Sequence, residues 1–457
     1  MNRVRVNCRH GLAAGVMRQS GPFGLLLVVA LEFATPALAQ VWQYQGVREA
    51  ATALASQTEG LPPYFGTALA LSPEWLAVGV PYTDLTLGPV TWQDTGAVYL
   101  YQRDADGRIP TVATQIIRSD QLANNAHFGF ALAIDGSTLM IGMPGHGNSA
   151  GRVEFWNYST GDGAWDRSSA FDGNLASFGS ESLGYSVSLN GNHATAGAPN
   201  ATIDPAQPFS GRVVTFARVS SLVPFTNQHT LVSPNPTAGG YFGFDVAIRV
   251  EPIMSLLPDR LVIGEAGAGV GAPPKGLAWV YEYDTGQGVW SLGRLIAASE
   301  NEIGDAFGHA VALNGRHVLV GGLNASRVLV EQRDLSGWTS RPPLQSPAGG
   351  ETLQFGYDIA VHGPRWLIGQ PVPGSPGSRA LVFEAEGLGD PQHKASLRQQ
   401  GPAAAPWYSY ARVVALQGEH AVVAAPTDDV ELASEVGFVA LFASSWLFSD
   451  GFESSLD

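Results

Sequence analysis

Cysteine is almost absent from this chain, since Cys8 is the only one among 457 residues. A disulfide framework and a zinc site built on cysteine are therefore excluded. Lysine is nearly as scarce, with Lys275 and Lys394 alone, and the resulting excess of arginine indicates a GC-rich, bacterial origin. Charged residues make up 14% of the chain, and their formal net charge of −15 argues against a nucleic acid as the partner.

Apolar runs are short, and none reaches the roughly 20 residues that a membrane-spanning helix needs. The run at 23–31 follows four arginines and precedes Ala37-Leu38-Ala39. A basic stretch, a short apolar core and an A-x-A end are typical of a secretory signal. We therefore predict a signal peptide at 1–39, with Met17 as an alternative start, and a mature protein that is secreted, periplasmic or on the cell surface.

Glycine and proline, in contrast, are abundant, with 55 and 30 residues. Together they form about 19% of the chain, where about 12% is usual. They follow no three-residue period, which excludes collagen, and an apolar fraction of 45% excludes wholesale disorder. The composition indicates a large protein rich in turns.

The turns belong to a unit that occurs seven times. Its openings, 48 to 65 residues apart, are Phe65-Gly66, Phe128-Gly129, Leu183-Gly184, Phe242-Gly243, Phe307-Gly308, Phe355-Gly356 and Tyr410-Ala411. Each opening leads to a stop such as Gly142-Met143-Pro144 or Gly197-Ala198-Pro199. We call the first residue of the opening and the first residue of the stop the two anchors of a unit. In six copies the second anchor follows the first by 14 residues, and in the fourth copy 251–258 is inserted. A spacing kept six times indicates a repeated structural element.

Each unit contains the pattern of four strands. Two apolar runs flank a two-residue turn such as Asp135-Gly136 or Asn190-Gly191, the strongest short signal for a hairpin. A third run begins at a glycine, as at 151–156, and a fourth precedes the next opening, as at 115–117. No helical periodicity is visible after the signal, so the pattern predicts an all-β protein.

The arrangement of the strands favours a closed ring. The first two strands of each unit are apolar on both faces, as strands covered by neighbouring blades are. The last unit has three strands and the segment 42–53 supplies a spare one. We predict a seven-bladed β-propeller of four-stranded antiparallel blades over 40–445, closed by the N-terminal strand, with a C-terminal tail at 446–457.

The opening Phe-Gly and the stop Gly-Ala-Pro resemble the FG-GAP repeat, the unit of the seven-bladed propeller of integrin α subunits. The resemblance extends over about 41–443, with seven copies in register. It implies ligand recognition outside the cell and, as in integrins, adhesion. The tail 446–453 resembles a short ending found on many exported bacterial proteins.

One feature departs from the integrin pattern. Integrin-type repeats often carry an Asp-rich calcium loop between their first two strands, whereas the corresponding turns of this chain have two residues. Such a turn cannot supply the six or more oxygens that calcium takes. The acidic turn Asp104-Ala105-Asp106-Gly107 lacks a downstream acid at calcium-loop spacing and is typical of a plain β-turn. We therefore predict no metal and no other cofactor.

Three histidines could suggest a metal site, but they share one repeat position. His193, His317 and His420 each follow a hairpin glycine by two residues, where other copies have Trp75 and Trp366. We expect them to belong to the repeated packing. The chain has no phosphate-binding loop and no G-x-S-x-G elbow before a helix.

Ligand-binding candidates lie in the loops that vary between copies. In a propeller, the loops after the second and fourth strands emerge on one face, and variable loops on a rigid scaffold concentrate binding residues. The candidates are Tyr82, Asp84, Trp92, Asp94, His146, Asp204, Phe209, Asp428, Asp429 and Glu431. Packing of Trp92 and Phe209 onto their own blades, and a solvated acidic loop at 428–431, are the alternatives.

These observations favour an exported binding or adhesion module for an extracellular protein or glycan. An enzyme of the glycan hydrolase or lyase type and a structural cell-surface repeat protein remain alternatives. Three or more acidic, His or Arg side chains in one pocket would favour the enzyme, whereas an apolar channel with a broad aromatic and acidic face would favour binding. The identity of the ligand and the oligomeric state do not follow from the sequence.

Overall fold

The fold is known from a computed structural model, which describes residues 39–49, 64–174, 180–252, 254–267, 275–297, 305–347, 354–372, 377–385, 389–398, 409–426 and 437–447. Residues 42–444 form one compact unit, and residues 1–41 with 445–457 form another. Of the smaller unit, only the strand residues 39–41 and 445–447 are described. The predicted signal peptide and C-terminal tail therefore lie almost wholly outside the described residues.

Seven four-stranded sheets make up the larger unit, which confirms the predicted all-β, seven-bladed propeller. The first blade has β2 (Ala68–Leu71), β3 (Trp75–Val80), β6 (Ala97–Gln102) and β7 (Gln115–Ile117). Its loop adds a hairpin of β4 (Leu85–Leu87) and β5 (Val90–Trp92). The second blade has β8 (Ala131–Asp135), β9 (Thr138–Met143), β10 (Arg152–Ser159) and β11 (Ala164–Asp172). The third has β12 (Ser186–Asn190), β13 (His193–Ala198), β14 (Arg212–Ala217) and β15 (Thr226–Val232).

The remaining blades repeat this order. The fourth has β16 (Phe242–Arg249), β17 (Arg260–Glu265), β18 (Leu277–Asp284) and β19 (Val289–Ala297). The fifth has β20 (Phe307–Leu313), β21 (His317–Gly322), β22 (Arg327–Asp334) and β23 (Gly337–Gln345). The sixth has β24 (Ile359–His362), β25 (Arg365–Gln370), β26 (Arg379–Glu384) and β27 (Gln392–Leu397). The seventh combines β28 (Val413–Gln417), β29 (His420–Ala425) and β30 (Phe438–Leu447) with β1 (Ala39–Glu49).

The ring closes as the spare strand predicts. β1 pairs with β30 as the outermost strand of the seventh blade, and β28 of that blade packs against β2 of the first. Within the described residues, helix is limited to one turn, α1 (His146–Ser149), in which Gly147 and Asn148 have left-handed backbone angles. The apolar core lies between neighbouring blades. In one cluster, Trp75 of the first blade packs against Trp165 of the second.

The repeated glycines lie where backbones of adjacent blades touch. The stop glycine of one blade faces the opening glycine of the next, so a methyl group at Gly142 would lie 2.0 Å from the carbonyl oxygen of Gly184. Within a blade, the opening amide of Gly129 donates to the carbonyl of Gly142 at 3.1 Å, which fixes the 14-residue spacing. In the fourth blade the insertion lies between β16 and β17 and leaves both anchors in register.

Two of the three recurring histidines pack against aromatic rings of the next blade. Trp366 lies one strand position beyond theirs, because it pairs with Val361 whereas His193 pairs with Asn190. His193 packs edge-on against Tyr283 of the fourth blade at 5.0 Å between ring centroids. His317 packs in the same way against Trp366 of the sixth blade at 5.1 Å. Burial lowers the pKa of His317 and of His420 to about 4, so both side chains are neutral at neutral pH.

Candidate ligand-binding site

Each blade opens with the same turn, which places one side chain at the mouth of the central channel. In the second blade, His127 has a φ of +59° and the amide of Phe130 donates to its carbonyl at 3.1 Å. The same bond joins Ser182 to Tyr185 at 3.1 Å and Tyr241 to Phe244 at 3.0 Å. The residue two positions after the opening Phe or Leu therefore occupies one site in every blade.

Five successive blades place an aromatic residue at this site. We call Phe130, Tyr185, Phe244, His309 and Tyr357 the collar. The ring centroids of neighbouring collar residues lie 5.1, 5.1, 5.1 and 4.8 Å apart, with tilts of 39° to 57°. These distances are typical of favourable aromatic pairs. The blades thus form one curved aromatic wall.

The two remaining blades complete the ring with polar residues. Arg412 of the seventh blade places its guanidinium carbon 5.8 Å from the ring centre of Tyr357, within cation–π range. Thr67 of the first blade donates its hydroxyl to the carbonyl of Tyr64 at 2.8 Å. The wall therefore has an aromatic part over blades two to six and a polar part over blades seven and one.

Above the collar lies a cavity of about 720 Å³, lined by the collar, Thr67, Arg412 and residues of the adjoining loops. Tyr64 and Tyr82 form a second aromatic pair there at 5.0 Å, and Tyr82 also contacts His127 at 5.0 Å. The cavity lies within the size range of small-molecule sites. It opens on the face to which the second-to-third-strand loops contribute.

Below the collar, two carboxylates line the channel, whose cavity is about 390 Å³. Asp245 accepts hydrogen bonds from the amides of Val246 in its own blade at 2.9 Å and of Val311 in the next blade at 2.7 Å. Asp358 does the same with Ile359 at 2.8 Å and Val414 at 2.7 Å. Each carboxylate thus joins two blades at their inner strands.

Burial sets the protonation of the groups around the mouth. It raises the pKa of Asp245 to about 7 and that of Asp358 to about 6. It also lowers the pKa of His309 to about 4, although a bond between Nδ1 and the carbonyl of Tyr357 at 3.1 Å opposes this. Burial, reinforced by the charge of Asp84, raises the pKa of Asp94.

Two of the ten residues predicted from the sequence line the cavity, namely Tyr82 and Asp94. Asp84 lies at the base of the β4–β5 hairpin, where its carboxylate accepts a hydrogen bond from the amide of Asp94 at 2.9 Å. Trp92 ends β5 opposite Leu85. Asp84 and Trp92 do not contribute to the cavity lining.

The other described candidates lie outside the cavity. Asp204 closes a local turn, in which its carboxylate accepts from the amide of Ala206 at 2.9 Å. Phe209 is 44% exposed and stacks on Tyr241 at 6.3 Å. His146 lies 3.9 Å from the carboxylate of Asp172. Asp428, Asp429 and Glu431 lie outside the described residues.

The sequence reasoning missed the collar, although a signal for it was present. The second residue after each opening Phe or Leu is Phe130, Tyr185, Phe244, His309 and Tyr357 in consecutive copies, at the head of a strand that is otherwise aliphatic. An aromatic run at one repeat position predicts one ring per blade at one height. Only ring closure shows that these side chains contact one another.

The described ranges contain neither a metal-binding cluster nor a membrane-spanning helix. No cluster of three or more His, Cys, Asp or Glu side chains suited to a metal ion occurs there. In the turn after β6, the carboxylate of Asp104 accepts from the amides of Asp106 at 3.0 Å and Arg108 at 2.8 Å. No helix in that part of the chain has the length and apolar character needed to span a bilayer.

Comparison with known proteins finds similar solved structures but no related sequence family. No family model matches the chain, and no curated protein matches it. Among solved structures, the chain is similar to the crystal structure of Saccharomyces cerevisiae Sqt1, with a TM-score of 0.45 and 9% sequence identity. The alignment covers 80% of this chain and 81% of that one.

Proposed function

We propose that the protein is an exported propeller of the FG-GAP type that binds an extracellular glycan or protein, with the collar cavity as its ligand site. The continuous aromatic wall is the observation that carries this proposal. Five rings that are each only partly buried surround one cavity of about 720 Å³. Mostly apolar concave surfaces with a few placed polar groups are the usual form of ligand sites.

The repeat itself does not require aromatic residues at the collar positions. Thr67 and Arg412 occupy the equivalent site in two blades, and the opening turn forms there as well, with bonds of 3.2 Å to Tyr64 and Ser409. A binding role accounts for the aromatic residues, because partly exposed rings at a cavity give up solvent contact when a ligand covers them.

Export and family assignment rest on the sequence. The pattern at 1–39 supports a signal peptide, and seven FG and GAP anchors in register support the FG-GAP type. By that resemblance the protein acts outside the cell, where it is secreted, periplasmic or bound to the surface. Adhesion is the role that the integrin likeness favours.

A glycan hydrolase or lyase is the second candidate, because Asp94, His309 and Arg412 line the same cavity. Three such side chains in one pocket meet the criterion for an enzyme given above. However, His309 is neutral with a pKa of about 4, too low for an efficient general base at neutral pH. Both oxygens of Asp245 and of Asp358 accept backbone amides in the channel below. This chemistry supports binding more than catalysis.

The test is a binding screen of the mature chain, residues 40–457, on glycan and extracellular-protein arrays. We expect a ligand whose affinity falls at least about tenfold in Tyr185→Ala/Phe244→Ala, because two stacking faces are lost. Leu335→Ala is the matched control, since Leu335 is 69% exposed in the turn between β22 and β23. Thermal melting of all variants checks that they fold.

Other outcomes would redirect the proposal. Loss of binding in Trp92→Ala or Phe209→Ala, with the collar variant unaffected, would move the ligand to the outer loops. Release of products from a polysaccharide, without array binding, would favour the enzyme. If the screen detects neither a ligand nor a reaction product, the remaining interpretation is a structural repeat protein.

A further inference from the structure

The collar cavity contains one arginine, Arg412, that has no acidic partner among the described residues. Arg412 forms no ion pair with a described carboxylate, and its buried Nε has no hydrogen-bond partner in the described part of the chain. Its guanidinium makes the cation–π contact with the ring of Tyr357 described above. Arg152 differs, because its Nε donates to the carboxylate of Glu154 at 3.0 Å. A partly buried guanidinium without a carboxylate is therefore a place where an anionic ligand group would be stabilised.

Three phenol hydroxyls at the same cavity are also available. Tyr82, Tyr185 and Tyr357 line it, and their hydroxyls form no hydrogen bond with any described residue. Burial raises the pKa of Tyr185 to about 12, and the nearby Tyr357, Tyr82 and Asp245 add smaller contributions in the same direction. All three phenols line the same cavity. Each offers an apolar ring face and a hydroxyl that can donate and accept.

A ligand that uses all these groups needs three features. It needs a carboxylate, because the planar guanidinium of Arg412 can donate two parallel hydrogen bonds to such a group. It needs an apolar face for the rings and several hydroxyls for the phenols. A pyranose ring offers apolar C–H faces and a hydroxyl edge, and a uronic acid adds the carboxylate. An acidic protein side chain would pair with Arg412 but would supply no hydroxyls. A cationic ligand would be repelled by the positive charge of Arg412.

We propose that the collar cavity binds a uronic acid residue of an acidic glycan, with its carboxylate on Arg412 and its ring against the collar. This rests on the proposed function and names the ligand class of the same site. Asp94 of the first blade also lines the cavity, beside Tyr82, and forms no ion pair with Arg412. Its carboxylate is suited to accept sugar hydroxyls there.

The charge of the protein gives this binding a distinctive salt dependence. The chain carries a formal net charge of −15, so it repels a polyanion at long range. Salt screens exposed charges over about 10 Å at 0.1 M, but screens a partly buried pair much less. Added salt up to 0.15 M therefore leaves the affinity unchanged or raises it, whereas a basic surface patch would lose affinity.

The experiment compares a galacturonic acid trisaccharide with the same sugar after its carboxyls are reduced to alcohols, by calorimetry on the full mature chain. We expect the acid form to bind at least about tenfold more tightly, as for a hydrogen bond to a charged group. Arg412→Gln removes that preference and keeps the affinity for the neutral sugar. Arg412→Lys keeps the charge without the fork and retains part of the preference.

Arg108→Gln is the matched control, because the Arg108 side chain is 75% exposed and reaches only the exposed Asp106, at 3.4 Å. We expect it to bind both sugars like the wild type. Thermal melting of the Arg412 variants separates loss of binding from loss of folding. The preference for the acid sugar is a ratio within one variant and is insensitive to the fraction folded.

Three results would overturn the inference, and each has a different consequence for the proposed function. Equal affinity for acid and neutral sugars, unchanged in Arg412→Gln, would reject the uronate and keep glycan binding at the collar. Binding of an oligoglutamate peptide through Arg412, with no uronate binding, would favour an acidic protein ligand. Absence of every sugar and protein ligand would reject the proposed function itself.

Discussion

At the scale of the residue, close contact between backbones sets the strictest requirement. The stop glycines have ordinary φ angles but no room for a side chain, because the next blade passes directly over them. A methyl group at Gly79, Gly197 or Gly264 would lie 2.0 Å from a carbonyl oxygen of the next blade, as at Gly142. Real Cβ atoms do not approach this closely, so substitution forces the blades apart.

We predict that Gly142→Ala destabilises the protein by about 3 kcal/mol, through overpacking at the boundary between the second and third blades. Gly161→Ala serves as the control, because its nearest neighbour would be the Ser159 hydroxyl at 3.7 Å. Chemical denaturation measures both. Equal stability of the two variants would show that the boundary relaxes without cost.

Buried charge is the second feature at this scale. Arg260 is fully buried and pairs with Glu251, whose side chain is 6% exposed and which begins the insertion of the fourth blade. Burial lowers the pKa of Arg260, and Glu251 opposes this. The insertion therefore supplies the counter-charge that the buried arginine requires.

We predict that Glu251→Gln costs about 3 kcal/mol of unfolding free energy, because it leaves a buried arginine without its partner. Asp106→Asn removes the acid from an exposed pair and changes the stability little. Glu251→Gln/Arg260→Met should recover much of the loss. A single variant as stable as the wild type would mean that the Arg260 pair contributes no net stability.

At the scale of the element, the N-terminal strand closes the ring. Tyr44 on β1 packs edge-on against Phe442 on β30 at 5.6 Å. Nε of Arg48 donates to the carbonyl of Pro110 in the first blade at 2.7 Å. The strand therefore links the seventh blade to the first, and the sequence predicts this from one spare strand.

We predict that deletion of residues 42–49 lowers the melting temperature by roughly 5 to 10 °C, because several kcal/mol of burial and hydrogen bonding are lost. A synthetic peptide of residues 40–49 should restore part of it. Replacement of the β4–β5 hairpin at 85–92 by two glycines is the control and should change the melting temperature little. A deletion no worse than this control would contradict the closure role of β1.

At the scale of the whole molecule, the channel concentrates groups whose protonation affects the ring. Asp245 and Asp358 have pKa values of about 7 and about 6 in the folded protein, against 3.8 for an ordinary Asp. Between pH 3.8 and the raised pKa of each group, the folded state binds more protons than the unfolded state. The contribution of the two carboxyl groups to stability therefore falls as the pH rises through that window. His309, with a pKa lowered from 6.5 to about 4, acts in the opposite direction as pH falls through that window.

We predict that Asp245→Asn is more damaging at pH 5 than at pH 8, by about 1 to 3 kcal/mol. The reason is that the wild-type gain from protonation of Asp245 on acidification is absent in the variant. Because His309 and Asp358 remain in both proteins, the comparison of variant with wild type reports the titration of Asp245 together with its coupling to Asp358. Unfolding by denaturant at both pH values measures it, and a difference that is the same at pH 5 and pH 8 would refute the raised pKa.

The sequence by itself determined the architecture of this protein: seven blades, four strands in each, and an N-terminal strand that completes the last. It could do so because hairpin turns, strand alternation and the 14-residue spacing are local and recur along the chain, the spacing in six of the seven copies. It also pointed to the loop face, and thereby to Tyr82 and Asp94. Only the tertiary structure decided that Phe130, Tyr185 and Arg412 share one cavity, because these residues meet only once the ring is closed. That Arg412 has no acidic partner among the described residues likewise follows from what surrounds it in space, which no spacing along the chain records.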